Sequence, residues 1–134
     1  VRDGAAVKVR RSTIAAQGAG VALHASGTTS RVPAVAIRDS VLAGAGGALS
    51  LGPDNPARPR IARTVLSSAD AASFTDIGGS VIGDPGLAGK GEEPFAPGPG
   101  SAAIGMARGD GATDLSGRTR PANGATAGAF EAQP

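Results

Sequence analysis

The sequence predicts an all-β chain built as a parallel β-solenoid, and three observations carry that prediction. Residues 7–23, VKVRRSTIAAQGAGVAL, return without a gap as residues 35–51, VAIRDSVLAGAGGALSL, so that Val9 falls on Ile37, Ser12 on Ser40 and Ile14 on Leu42. The centre of the repeat, aliphatic-x-x-Ser/Thr-x-aliphatic, comes twice more, from Ile61 to Leu66 and from Ile77 to Ile82. Buried area must come from small aliphatics, because the 134 residues include 3 Phe and 1 Met but neither Trp nor Tyr. Short strands recurring at a period of roughly 20–30 residues bury their apolar faces only by stacking on one another.

Composition narrows the function classes. Gly and Pro, 22 and 10 residues, make up about a quarter of the chain, a share approaching the range in which chains without a period are usually disordered. The repeat is what argues for a fold over a low-complexity segment. Thirteen Lys and Arg against eleven Asp and Glu leave a net charge of +2. There is neither a basic stripe nor a set of stacking aromatics, so no nucleic-acid partner is expected. The absence of Cys excludes a disulfide framework and thiolate-bound zinc. No apolar run reaches the ~18 residues of a membrane span, and no charged-then-apolar signal region opens the chain.

In chain order, Val7 and Val9 alternate with Lys8 and Arg10, the period of two that marks a short strand. A turn-prone centre and a second aliphatic group, Val21 to Leu23, follow. Residues 26–33, SGTTSRVP, are a polar loop, and the second copy then runs to Leu51. Residues 52–59, GPDNPARP, form a break that neither a helix nor a central strand crosses. The third hexad starts 24 residues after the second, but the fourth only 16 after the third. The last turn is therefore expected to be incomplete or displaced. The chain divides into coils over 1–85, a Gly/Pro-rich connection over 86–100 and a tail of different pattern over 101–134.

Stacking at about 4.8 Å turns equivalent positions into ladders. Val9, Ile37, Ile61 and Ile77 are expected to form one aliphatic stack and Ile14, Leu42, Leu66 and Ile82 a second. Val21 over Leu49, with Leu23 over Leu51, makes a third face. Ser12, Ser40, Thr64 and Ser80 form a hydroxyl ladder whose members bond one another or the backbone where the chain bends. Arg11, Asp39 and Arg63 share the preceding position with alternating sign. Opposite charges on neighbouring strands attract by about 0.2–1 kcal/mol, and this ladder is read as structural.

The tail carries GSAAIG at 100–105, TDLSGRTRP at 113–121 and AGAFE at 127–131, in that order. These motifs resemble the C-terminal end of bacterial right-handed parallel β-helix repeat proteins, especially the choice-of-anchor Q domain proteins, whose pattern is approximately GSPAIDAG, TDLxGxxRP and DIGAFE. The hexads resemble that family's VTITNSTISGN repeats, and residues 78–85, GGSVIGDP, its GxNLIGDP segment. The likeness covers most of residues 7–131. Ala102 stands in place of the family's Pro, Gly105 and Thr126 in place of acids, and Ala127 in place of Ile.

The resemblance implies a right-handed parallel β-helix of about three to four coils with an irregular C-terminal capping segment. It implies an extracellular or cell-surface bacterial protein, with further coils on the N-terminal side of this chain. A last coil exposes strand edges and an open core, so the tail is expected to plug that end with Ile104, Leu115 and Phe130. Asp114 with Arg118 or Arg120, and Glu131 with another Arg, are expected to pin it.

The right-handed β-helix also hosts polysaccharide lyases, where a base takes a proton beside a sugar carboxylate and Ca²⁺ or another cation neutralises that carboxylate. Lys8, Arg10 and Arg38 stand on outward strand positions and are the carbohydrate-contact candidates. No acid clusters beside them, so no catalytic residue is assigned. His24, the only His, builds neither a metal site nor a triad alone. Residues 109–114, GDGATD, lack the Gly an EF-hand needs at Leu115 and the Asp a nonapeptide calcium repeat needs at Thr113. No metal site or cofactor is assigned, and Ca²⁺ there would be adventitious. Neither Gly44-Ala-Gly-Gly nor Gly98-Pro-Gly precedes a helical pattern, so neither is a dinucleotide loop. The sequence thus reads as a non-catalytic structural or carbohydrate- or surface-contact portion of a larger protein, with polysaccharide as the expected partner. The alternative is the C-terminal part of a polysaccharide lyase whose active site lies mostly in coils N-terminal to it.

Overall fold

The structure, a computed structural model, describes residues 1–52, 58–69, 73–89, 91 and 93–132, and these are all-β with no α-helix. Three short strands recur in order. β1 (Ala6–Arg10), β2 (Thr13–Ala16) and β3 (Leu23–Ala25) are followed by β4 (Ala34–Arg38), β5 (Val41–Gly44) and β6 (Leu49–Leu51). Then come β7 (Arg60–Ala62) with β8 (Val65–Leu66), and β9 (Thr75–Gly78) with β10 (Val81–Ile82). Equivalent strands lie side by side and parallel, in sheets ordered β1-β4-β7-β9, β2-β5-β8-β10 and β3-β6. Among the described residues no helix is long and apolar enough to cross a membrane.

The register carries most of the expected ladders. Val9 pairs with Ile37 and Ile37 with Ile61, and Ile14, Leu42, Leu66 and Ile82 pair in series. Ile37, Leu42, Ile61 and Leu66 are fully buried, each contributing about 1.5–3 kcal/mol of burial free energy. Phe74 joins this core. At the bends Arg11, Asp39 and Arg63 take positive φ of 48, 53 and 46°, and Gly79 takes 69°. The next residue's hydroxyl holds each bend: Ser12 donates to Arg10 O (2.8 Å), Ser40 to Arg38 O (2.7 Å) and Thr64 to Ala62 O (2.9 Å). The hydroxyl oxygens of Ser40, Thr64 and Ser80 accept a backbone N–H from the preceding layer, so the ladder is bonded through backbone rather than hydroxyl to hydroxyl.

Three expectations are corrected. The turn after the second strand shortens from residues 17–22 in the first layer to 45–48 in the second. Leu23 therefore pairs with Leu49 and Ala25 with Leu51, and Val21 is left exposed. In the last layer a bulge sets Asp76, not Ile77, against Ile61, and Gly78 against Ala62; Ile77 lies outside the aliphatic stack and is exposed.

The third correction concerns the tail, which covers a flank rather than plugging an end. Val41 and Val65 point outward from the second sheet and pack under Ala103, Ala107, Ala125 and Ala127. Two of these alanines belong to the antiparallel pair β11 (Ala107–Arg108) and β12 (Asn123–Ala125). The amide of Ala129 donates to Thr13 Oγ1 at 3.0 Å and that of Gly128 to Asp39 O at 2.9 Å. Phe130 is buried, but Ile104 and Leu115 are 43% and 75% exposed. Alanines suit this contact because their flat, small surface lets the tail lie close against the outward valines.

The glycine run of the second copy has a packing role. A Cβ on Gly46 would fall on the carbonyl of Ala19 one layer away, and one on Gly44 would meet the carbonyl oxygens of Gly47 and Gly20 at 2.6 and 2.7 Å. Gly46→Ala is expected to cost about 1–3 kcal/mol by forcing the stacked turns apart. A thermal melt followed by circular dichroism measures it, and an unchanged midpoint would mean that the turn yields freely.

Candidate functional site

Strand alternation sets Val7, Val9, Val35, Ile37 and Ile61 toward the core and leaves Lys8, Arg10, Arg38 and Arg60 on the outer face of the first sheet. In register, Lys8 lies beside Ala36 and Ala36 beside Arg60, while Arg10 lies beside Arg38. Neighbouring strands are about 4.8 Å apart and alternate residues of one strand about 6.6 Å, so four cations share one small patch. Ala36, having no bulk, leaves a hollow of about 240 Å³ lined with Lys8, Arg10 and Arg38. An adjoining cleft of about 570 Å³ is walled by Val32, Pro33, Ala34 and Val35, with Arg58 and Arg60 at its side.

Among the described residues no ion pair takes up Lys8, Arg10, Arg38 or Arg60, whereas Arg11, Arg63, Arg118 and Arg120 are all paired. Like charges on neighbouring strands repel, and an anionic ligand would relieve that repulsion. The three candidates named from sequence are thus brought together. Arg60 escaped the sequence reading although it directly precedes Ile61, as Lys8 precedes Val9; position in the repeat was its signal.

The remaining charged candidates build a structural network. Asp39, 3% exposed, accepts from Arg63 Nε at 2.6 Å and Nη2 at 3.1 Å, and from the Arg108 amide at 3.2 Å. Burial pushes its carboxyl up, but the Arg63 and Arg108 bonds outweigh that and hold it below the usual aspartate range. The same bond to Asp39 raises Arg63 against its own burial. Arg11 turns away to Asp110 at 2.6 Å, so the alternating charge ladder forms a direct ion pair between the second and third layers, while the Arg11 charge still acts on Asp39. Its Arg11 bond, with the Ala112 amide, also lowers Asp110.

In the tail, Arg120 donates to Thr126 O (2.8 Å), Gly128 O (2.7 Å) and Glu131 Oε1 (2.9 Å). Asp114 accepts from the amides of Ser116, Arg118 and Glu131 at 2.9, 2.8 and 2.8 Å, and lies 3.5 Å from Arg118 Nη1. Arg118 also pairs with Glu93, and that bond raises it. Both pins expected from sequence are therefore present, aimed at the flank contact.

His24 is exposed and meets Ser50 Oγ through Nδ1 at 3.2 Å. Among the described residues no group of three or more His, Cys, Asp or Glu is placed to hold a metal ion. The first-sheet patch offers fixed positive charge and a hollow, which suits binding of an anion. Compared with protein-family models, curated proteins and solved structures, the chain matches none of them.

Proposed function

We propose that the chain is part of a right-handed parallel β-helix protein of the bacterial exterior, of the choice-of-anchor Q kind. Its role in that reading is structural, with the first sheet as a contact face for anionic polysaccharide. The parallel in-register strands support the fold reading, and parallel strands joined by a crossover take the right-handed path in ~98% of cases. The observation that carries the functional reading is the set of cations Lys8, Arg10, Arg38 and Arg60 on one sheet face, with no ion pair among the described residues, whereas Arg11, Arg63, Arg118 and Arg120 are ion-paired.

A second reading, the C-terminal part of a polysaccharide lyase, rests on the same cations, which would neutralise sugar carboxylates. It requires catalytic groups from strands N-terminal to these, and so predicts unsaturated uronate product from the longer protein.

Polygalacturonate is the probe for both readings. It is expected to bind with an affinity that falls as salt rises, because exposed charges are screened beyond a Debye length of ~8 Å at physiological ionic strength. The double variant Arg10→Ala/Arg38→Ala is expected to weaken binding about tenfold, or ~1.4 kcal/mol, leaving the melting temperature unchanged. Equal affinity of wild type and variant, or equal binding of uncharged dextran, would remove the contact-face reading.

A further inference from the structure

The larger cleft on the first sheet differs in chemistry from the cationic hollow beside it. Ala6 pairs with Ala34, Lys8 with Ala36 and Ala36 with Arg60, so one-carbon side chains at outward positions keep the floor low. Val32 and Pro33 wall it; Pro33 is buried, whereas Val32 is exposed although apolar.

That wall is held in place by its own loop. Arg31 N–H donates to Thr28 O at 3.0 Å and Ala34 N–H to Ala5 O at 2.9 Å. A Cβ on Gly27 would lie 2.4 Å from Arg31 O and 2.6 Å from Pro33 Cδ, so the loop closes tightly on itself. The volume, about 570 Å³, lies within the ~300–1,000 Å³ of small-molecule sites. The cleft crosses from β1 over β4 to Arg60 of β7 on the broad outer face of the sheet. A further strand beside β1 would widen that face and leave the cleft open.

The lining selects the ligand. The alanines, Val32 and Pro33 bring no hydroxyl, amide or aromatic ring, and β4 pairs on both sides, with β1 and β7. A sugar seated there would leave its hydroxyls without partners, whereas an alkyl chain gains with each methylene it buries. A methyl ester or an acetyl group would leave most of the volume unfilled. At one side the cleft turns cationic: Lys8 and Arg60 flank Ala36 on neighbouring strands, each about 4.8 Å away. Among the described residues no ion pair takes up either of them. An apolar surface rimmed by charge marks a binding site.

We propose that this cleft binds a single-chain anionic amphiphile, a fatty-acid carboxylate. Its alkyl chain lies over Ala6 and Ala34 against Val32 and Pro33, and its carboxylate lies above Ala36 between Lys8 and Arg60. The site adjoins the hollow at Arg10 and Arg38 and does not rest on polysaccharide binding there.

Isothermal titration calorimetry of the chain with octanoate, decanoate and laurate, each below its micelle concentration, tests this. One molecule should bind per chain, about two- to fourfold tighter for each added methylene. Octanoate should bind about fivefold tighter than 1-octanol, the sum of two exposed charge contacts. Ala34→Gln, which fills the floor with a longer polar side chain, should weaken laurate about tenfold at an unchanged melting temperature. Lys8→Ala/Arg60→Ala should make octanoate and octanol bind alike. Arg10→Ala/Arg38→Ala should keep laurate affinity within about twofold, because exposed charges off the site are screened, so this site and the polysaccharide contact fail separately. Affinity that does not rise with chain length, equal laurate binding by wild type and a folded Ala34→Gln, or equal binding of octanol and octanoate by wild type would each overturn the proposal. So would co-sedimentation with phosphatidylglycerol vesicles without laurate binding, which would make a lipid surface the occupant. The chain-length series needs wild type alone and decides the matter if the variants unfold.

Discussion

Arg120→Ala is expected to lower stability by about 3–5 kcal/mol, the range for removing one partner of a buried ion pair. Arg120 is 2% exposed, and its guanidinium binds two tail carbonyls together with the Glu131 carboxylate. Without it, Glu131 keeps only the Thr126 amide and the cost of an uncompensated buried charge. A small domain has about 5–15 kcal/mol in total, so the variant should sit near its unfolding midpoint in mild urea. Arg120→Lys should fall between, because a point donor cannot span three acceptors that suit a planar fork. Equilibrium urea unfolding gives the magnitude. Binding of a hydrophobic dye gives the location, since a loosened tail uncovers Val41 and Val65. A loss below about 1 kcal/mol would mean that the tail is held by its alanine contacts and its other hydrogen bonds, without need of Arg120.

Asp39→Ala is expected to cost about 2–4 kcal/mol, because it strands the Arg63 guanidinium and the Arg108 amide at once. It also puts Ala where φ is 53°, a left-handed conformation that aspartate tolerates better. Asp39→Asn keeps the shape and the backbone tolerance but not the charge, and should lose about half as much. The pH dependence separates the two causes. Asp39 has a folded-state pKa below its ordinary value, so the charge contributes stability above the unfolded aspartate pKa of about 3.9 and loses it as pH falls through the folded value. The gap between wild type and Asp39→Asn should hold from pH 7 to about 5 and shrink below about pH 4. A gap of the same size at about pH 3 would show that the charge contributes nothing.

Much of this architecture is legible in the order of residues. An equal spacing of Val9 and Ile37, and of Ile14 and Leu42, combined with a period of two, states both which residues face inward and which of them meet. A one-residue slip would turn every side chain to the wrong face. The hydroxyl ladder and the outward placement of Lys8, Arg10 and Arg38 follow from the same spacing. Arg60 was equally legible from its place before Ile61.

Tertiary structure decided what that spacing does not encode. The loss of two turn residues moved Leu49 from Val21 to Leu23, because parallel register follows the path of the connecting turn as well as the strand pattern. The bulge at Ile77 put Asp76 at the end of an aliphatic column, where no further strand among the described residues pairs with β9. The tail went to a flank instead of an end. Val41 and Val65 offered an uncovered apolar surface there, and Ala129 found Thr13 across 116 positions of sequence. The sequence by itself determined the layers and their inward faces, since neighbours in a repeat are set by local period. The bulge and the seat of the tail arose only in three dimensions, since both depend on surfaces that exist once the layers have stacked.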